Sequence, residues 1–375
     1  MKPNLPLVSG CLLWAATSFA SAGQLYYSKR NFVSESTGLL ESKTAGDWYR
    51  GSGVVARDEK LIYSCAHLFY EAGEWATDYN FYRACDDYYY PDESTAVSPR
   101  GLHYFTSYSS GVDAYGSDSN RAFASDFTVL YGNSSFGSPV GWWSKGGPVL
   151  RSSRLKQIVG YPSEIDYTGV TGRCYQHSTG LFSYGAYQIR GGYHEFDDVS
   201  TGSGNSGGPI FVQDDSGDDY LAGILVSGTR RSAGVVALDL STHTMAGYAL
   251  GLKDKTLTFS NTTGYNLPDG SATYSSFPLR VSGFSGSVSK LKLNLSVSTT
   301  RRGDLDVYLK SPAGRIRWIS KRSGGSLDNL EIIGSDLTNT YYGSQPNGTW
   351  ELRIRDAVPG ARATFVKASL AVSAL

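Results

Sequence analysis

The sequence is poor in several things at once, and each shortage removes a class of function. Acidic and basic side chains balance at 34 each, so no charge excess marks a nucleic-acid binder or a protein drawn to a membrane surface. There are only four cysteines and five histidines in 375 residues. None of them shows the paired spacing of zinc ligands, and no metal is expected. The one long apolar stretch lies in the first residues and is interrupted, too short to span a bilayer. Helical periodicity is scarce, and methionine occurs twice. A glycine-rich stretch at 202–210, G-S-G-N-S-G-G-P-I, lacks the lysine of a phosphate-binding loop and leads into no helical pattern.

What is abundant is glycine (44) and tyrosine (27), the composition of a turn-rich, exported β protein. Residues 1–22 read as a signal peptide: Lys2, an apolar run, then Ala20-Ser21-Ala22 as a small-x-small cleavage site. Export leaves Cys65, Cys85 and Cys174. The Cys65–Cys85 pairing closes the shorter loop and is the expected disulfide. At this length two domains are expected. Short alternating runs between polar turns fill 23–250, among them K-L-I-Y-S-C, F-T-V-L-Y and Y-L-A-G-I-L-V. The acidic, aromatic segment from Tyr70 to about Arg121 reads as surface loops with short strands at most. A Thr/Ser/Asn-rich stretch near 253–266 separates a second β pattern over 255–375.

His67 stands out among the histidines because it follows the strand L-I-Y-S-C-A, whereas the other four read as ordinary hydrogen-bonded side chains. Asp126 opens the apolar run F-T-V-L, which anchors its carboxylate at a buried edge. Most other acids fall in solvated clusters. Ser206 sits in the glycine turn, followed by P-I-F-V, an acidic turn and Y-L-A-G-I-L-V. That is a turn whose backbone N–H groups can face a developing oxyanion.

S-C-A-H, S-D-F-T-V-L and G-N-S-G-G-P occur in the order and with the spacing of the motifs of trypsin-like serine proteases, and together they resemble that family over about residues 45–250. The resemblance implies an all-β fold with a double six-stranded β-barrel. His67, Asp126 and Ser206 would be the catalytic triad, and the N–H groups of Gly204 and Ser206 the oxyanion hole. Asn205 replaces the aspartate by which trypsins sense a new amino terminus, so the chain is closer to bacterial glutamyl-endopeptidase and HtrA-type enzymes. A pocket built on Ser200, Thr201, Val226 and Gly228 has no charged base, unless Asp197 or Asp198 swings in, and so predicts uncharged side chains before the scissile bond. R-R-G-D-L-D-V-Y-L-K-S-P-A-G-R and N-G-T-W-E-L-R-I-R-D, with N-L-P-D upstream, resemble the P (homo-B) domain of proprotein convertases. That implies a jelly-roll-type β-sandwich, anchored by Trp350, without catalytic residues. Asp304, Asp306 and Asp356 offer oxygen ligands that calcium would suit, but strand-end acids in water is the simpler and expected reading. No other cofactor is expected. The expectation is a secreted, monomeric serine endopeptidase acting on polypeptides, with no nucleic-acid partner and no membrane insertion. Its rival is an inactive protease scaffold used for binding.

Overall fold

The computed structural model describes residues 24–25, 32–85, 96–162, 175–176, 181–229, 231–284 and 286–375. The expected signal peptide and Cys11, Cys174 and His177 lie outside the described residues. Two antiparallel sheets build the first unit. One has six strands in the spatial order Asp78–Arg83, Thr37–Thr44, Asp47–Val55, Leu61–Ser64, Thr128–Tyr131, Gly101–Tyr104. The other orders Lys156–Gly160, Pro209–Gln213, Asp219–Gly228, Ser232–Ala237, Tyr193–Asp197 and Tyr187–Arg190, with Tyr175–Gln176 and Gln24–Leu25 added beyond Lys156–Gly160. Leu61–Ser64 and Lys156–Gly160 are buried at every residue. Their sequences do not alternate because both faces of the strand are covered.

The expected loop region between Tyr70 and Arg121 is a correction in part. Besides its strands it contains a helix, Thr106–Tyr115, packed against a second short helix, Asn120–Phe123. Thr-Ser-Tyr-Ser-Ser-Gly has little intrinsic helical signal. Tertiary contact decides instead: Tyr108 and Gly111 are buried, and Gly111 lies against the backbone of Ala122. The Cys65–Cys85 disulfide is also not formed. Cys65 extends the strand Leu61–Ser64 and Cys85 follows Asp78–Arg83, and two whole strands, Thr37–Thr44 and Asp47–Val55, separate these two in the sheet.

The second unit is a sandwich of a five-stranded and a four-stranded antiparallel sheet. Phe277 from one sheet stacks on Phe365 from the other, centroids 3.9 Å apart. Gly348–Asp356 alternates buried and half-buried as the sequence predicts. Trp350 is fully buried, donates from Nε1 to the Pro346 carbonyl at 2.8 Å and meets Tyr341 edge-on. Removing such a side chain costs about 3–5 kcal/mol.

A helix, Leu240–Ala249, leads from the first unit to the second. Asp239 and Thr242 close its start with a reciprocal capping box. Its Thr244 Oγ1 accepts from the Ser287 N–H of the sandwich at 2.9 Å. Among the described residues no helix is long and apolar enough to cross a membrane.

Candidate active site

Strand register places the first two residues. Leu61–Ser64 pairs antiparallel with Thr128–Tyr131, and Ser64 faces Thr128. Carried two positions past the end of that ladder, the same register sets Ala66 opposite Asp126. The chain then leaves the sheet in a 3-10 turn, His67–Phe69, and the Asp126 carboxylate holds that turn. Oδ1 accepts the N–H groups of Ala66 (2.6 Å) and His67 (2.9 Å), while Oδ2 lies 2.7 Å from His67 Nδ1. Asp126 is fully buried, whereas the His67 side chain is 29% exposed. One carboxylate therefore fixes both the backbone and the ring, with Nδ1 as the donor.

What Nε2 meets is not a residue the sequence singles out for chemistry. Cys65 Sγ lies 3.7 Å away, and its side chain is fully buried. Burial works against charging His67, but the neighbouring Cys65 and the Asp126 carboxylate outweigh it and hold the imidazole pKa well above its ordinary value. Burial likewise pushes the Cys65 thiol up.

Ser206 comes from the second sheet, on the turn before Pro209–Gln213. Gly204 (φ +87°) and Gly207 (φ +82°) have left-handed backbones. A side chain on Gly207 would also overlap the Ser52 carbonyl and the Ser64 hydroxyl. The turn is pinned by bonds from Gly207 N to Leu225 O (2.8 Å) and from Gly208 N to Asn205 O (2.8 Å). Among the described residues, neither the Gly204 nor the Ser206 N–H donates to a backbone carbonyl. Ser206 is half-exposed, and no hydrogen bond joins its hydroxyl to His67 among the described residues. The turn and the His67 segment nonetheless converge on one spot, since the Ser206 carbonyl and the Leu68 side chain both crowd Gly51.

Ser52 ties the two sheets together there, and sequence reasoning misses it. Its N–H donates to the Ser206 carbonyl (2.7 Å), and its hydroxyl donates to the Gly204 carbonyl (2.9 Å) and accepts from Tyr161 N (2.8 Å). Nothing in G-S-G-V-V-A distinguishes this serine from any other small strand residue. Its importance lies in partners more than a hundred positions away.

Of the residues expected to form a pocket, Thr201 and Gly228 lie against each other. Ser200, Thr201 and Val226 are buried, Thr201 N donates to Thr229 O (3.1 Å), and Gly228 abuts the Thr201 hydroxyl. Thr201 Oγ1 has no hydrogen-bond partner among the described residues. Asp197 and Asp198 are exposed, and Asp197 accepts from Tyr187 OH at 3.2 Å; neither supplies a charged base.

Residues 288–372 match the family model of the proprotein convertase P-domain. Leupeptin-inactivating enzyme 1 of Streptomyces exfoliatus is 38% identical over 99 residues, 26% of this chain and 22% of that one. The transglutaminase-activating metalloprotease of Streptomyces mobaraensis is 32% identical over 109 residues, 29% and 14% of the two chains. The chain thus spans less than a quarter of the length of either relative. Among solved structures, the protease Anisep of Arthrobacter nicotinovorans is 14% identical, covering 59% of this chain and 98% of that one with a TM-score of 0.44. A Glu endopeptidase is also 14% identical, covering 62% and 98% with a TM-score of 0.45.

Proposed function

We propose that the first unit is an exported serine endopeptidase. Ser206 Oγ attacks the scissile carbonyl carbon, and His67 Nε2 takes the serine proton and returns it to the leaving amine. Asp126 holds the imidazole by Nδ1 and stabilises its charged form. The N–H groups of Gly204 and Ser206 receive the oxyanion. The observation that carries this reading is the buried Asp126–His67 pair beside a glycine turn whose Gly204 and Ser206 N–H groups make no backbone hydrogen bond among the described residues. Deacylation reverses the roles, with water as nucleophile. The pocket floor of Ser200, Thr201 and Val226 favours uncharged side chains before the cleaved bond, because an unpaired buried charge there costs several kcal/mol. The matched P-domain segment then stabilises the catalytic unit or engages bulky polypeptide substrate.

The contrary reading, an inactive scaffold, is favoured by one fact: His67 Nε2 faces Cys65 rather than Ser206. In free enzymes such catalytic contacts are often long and tighten only with substrate. A serine-directed phosphonylating reagent separates the two readings. Stoichiometric labelling of Ser206, and a loss on the order of 10⁴-fold in peptide cleavage for Ser206→Ala, support the peptidase. No labelling and no cleavage of a peptide mixture by the folded protein support the scaffold.

For the second unit we propose a calcium site narrower than the three acids the sequence suggests. Asp356 is fully buried, and neither of its carboxylate oxygens has a hydrogen-bond partner among the described residues. Burial, with Asp269 and Asp304 adding negative charge, pushes its pKa up to about 6. Asp304 is buried as well. A hard cation would satisfy both carboxylates. Asp306 is the weaker candidate, because Arg355 takes its Oδ2 through Nε (2.9 Å) and Nη2 (2.7 Å), although its Oδ1 has no hydrogen-bond partner among the described residues. The simpler reading of these acids as solvated strand ends is corrected too, since all three are buried.

A further inference from the structure

Cys65, His67 and Asp126 offer ligand atoms that all lie within 4.8 Å of one another, yet peptide hydrolysis by a serine uses only two of the three residues. The sulfur is the surplus group. It sits 3.7 Å from His67 Nε2. A zinc ion bound at about 2.3 Å to sulfur and about 2.0 Å to nitrogen, with a tetrahedral angle between them, holds those two atoms about 3.5 Å apart. The pair is therefore already set at the separation the ion requires. Behind it, Asp126 accepts from Nδ1 at 2.7 Å, which keeps Nε2 as the ligating nitrogen in the carboxylate–histidine–zinc arrangement. Asp126 itself is spent on three N–H groups and stays in the second layer. The His67 side chain is 29% exposed, which leaves the ion a way in.

We propose that Cys65 Sγ and His67 Nε2 form an inhibitory zinc site, a brake on the activity assigned above and resting on that assignment. Binding forms a Zn–S bond, releases the thiol proton to solvent and forms a Zn–N bond to the imidazole. Two positions remain for water. With Nε2 held by the metal, His67 has no lone pair to take the Ser206 proton, and acylation stops. A Cys-x-His spacing is not a recognised zinc signature, and only the turn from strand into 3-10 helix folds the two side chains together.

The test uses the full chain, wild type and Ser206→Ala, each with and without Cys65→Ala or the near-isosteric Cys65→Ser. Zinc binding is measured by competition with a chromophoric chelator, and cobalt(II) is added separately to read the thiolate-to-metal charge-transfer band. Peptide cleavage is followed in the three proteins that retain Ser206, the wild type and the two single Cys65 variants. The expected result is one zinc per chain, a cobalt–thiolate band, and inhibition reversed by EDTA and not reproduced by magnesium. Both Cys65 variants should lose the band and weaken binding at least about tenfold, each measured against its own metal-free rate. Unchanged zinc affinity in folded Cys65 variants, or no thiolate band in the parent, overturns the site. Zinc that raises activity overturns the inhibitory role. Should Ser206 prove uninvolved in any cleavage, the peptidase reading fails while the binding and cobalt measurements still decide the metal site.

Discussion

Arg151 Nη1 lies 3.0 Å from His194 Nε2, and this contact determines which proton the ring carries. A guanidinium only donates, so Nε2 accepts and Nδ1 donates to the Gly192 carbonyl at 2.9 Å. The neutral ring is thus built in. Burial lowers the His194 pKa below its ordinary 6.5, and Arg151 adds to that against the Gly192 bond. His243 is lowered in the same direction by burial, with Arg57 adding to it. A histidine depressed in the folded state gives stability that is present above 6.5 and lost as pH falls through the folded value. His194 and His243 therefore pull the unfolding temperature down between pH 7 and pH 5, against the opposite pull of the raised His67 and Asp356, and His194→Gln should remove its share of that downward pull. Identical pH profiles for the two proteins would remove His194 from the account.

Ser52→Ala keeps the N–H that reaches Ser206 but deletes the hydroxyl between Gly204 and Tyr161. The glycine turn then loses its side-chain tether to the first sheet. Misplacement of a reacting group by about 1 Å costs up to about a hundredfold, so kcat should fall about ten- to a hundredfold with a smaller change in KM. A proportional rise in KM at constant kcat would show instead that Ser52 shapes substrate binding.

Calcium should raise the unfolding temperature of the wild-type chain by several degrees at concentrations well above its dissociation constant. Asp356→Asn should be insensitive to calcium, because the buried carboxylate that calls for a cation is gone. Calorimetry with and without EDTA reads both effects. An equal calcium response in Asp356→Asn would place the ion elsewhere.

Thr244→Val is nearly isosteric and removes the oxygen that accepts from Ser287 N. An unsatisfied buried N–H costs about 1–3 kcal/mol, so the variant should melt a few degrees lower. Cleavage of a small peptide below the melting temperature should stay within about twofold. A collapse in turnover without loss of stability would mean that the helix Leu240–Ala249 relays the sandwich to the site.

The parts legible in the sequence are those whose chemistry forces a local string. His67 follows a strand end, Asp126 precedes an apolar strand and Ser206 sits in a glycine turn, and the ladder register brings the first two into contact. Trp350 was legible for a similar reason, since a large aromatic inside an alternating strand has few places to go. The helix Thr106–Tyr115 was not, because neighbouring packing rather than propensity forms it. Ser52 and the Cys65 sulfur were hidden for a related reason. A serine inside a strand and a cysteine near a histidine acquire meaning only from what the fold sets next to them. The expected Cys65–Cys85 disulfide failed on the same ground, because loop length says nothing about how many strands lie between two cysteines.

The Ser52–Gly204 bond joins positions 152 apart in sequence, and its consequence is one of timing. His67 and Asp126 can meet once the first sheet closes, but the oxyanion turn has nothing to lean on until the second sheet docks against Ser52. Contacts of such separation form late, because closing a long loop costs entropy before any bond repays it. A chain emerging during synthesis or refolding would therefore carry the base and its carboxylate well before it carries an ordered nucleophile. On the proposed peptidase function, that interval would protect neighbouring unfolded chains, and the molecule itself, from being cut while still an easy substrate.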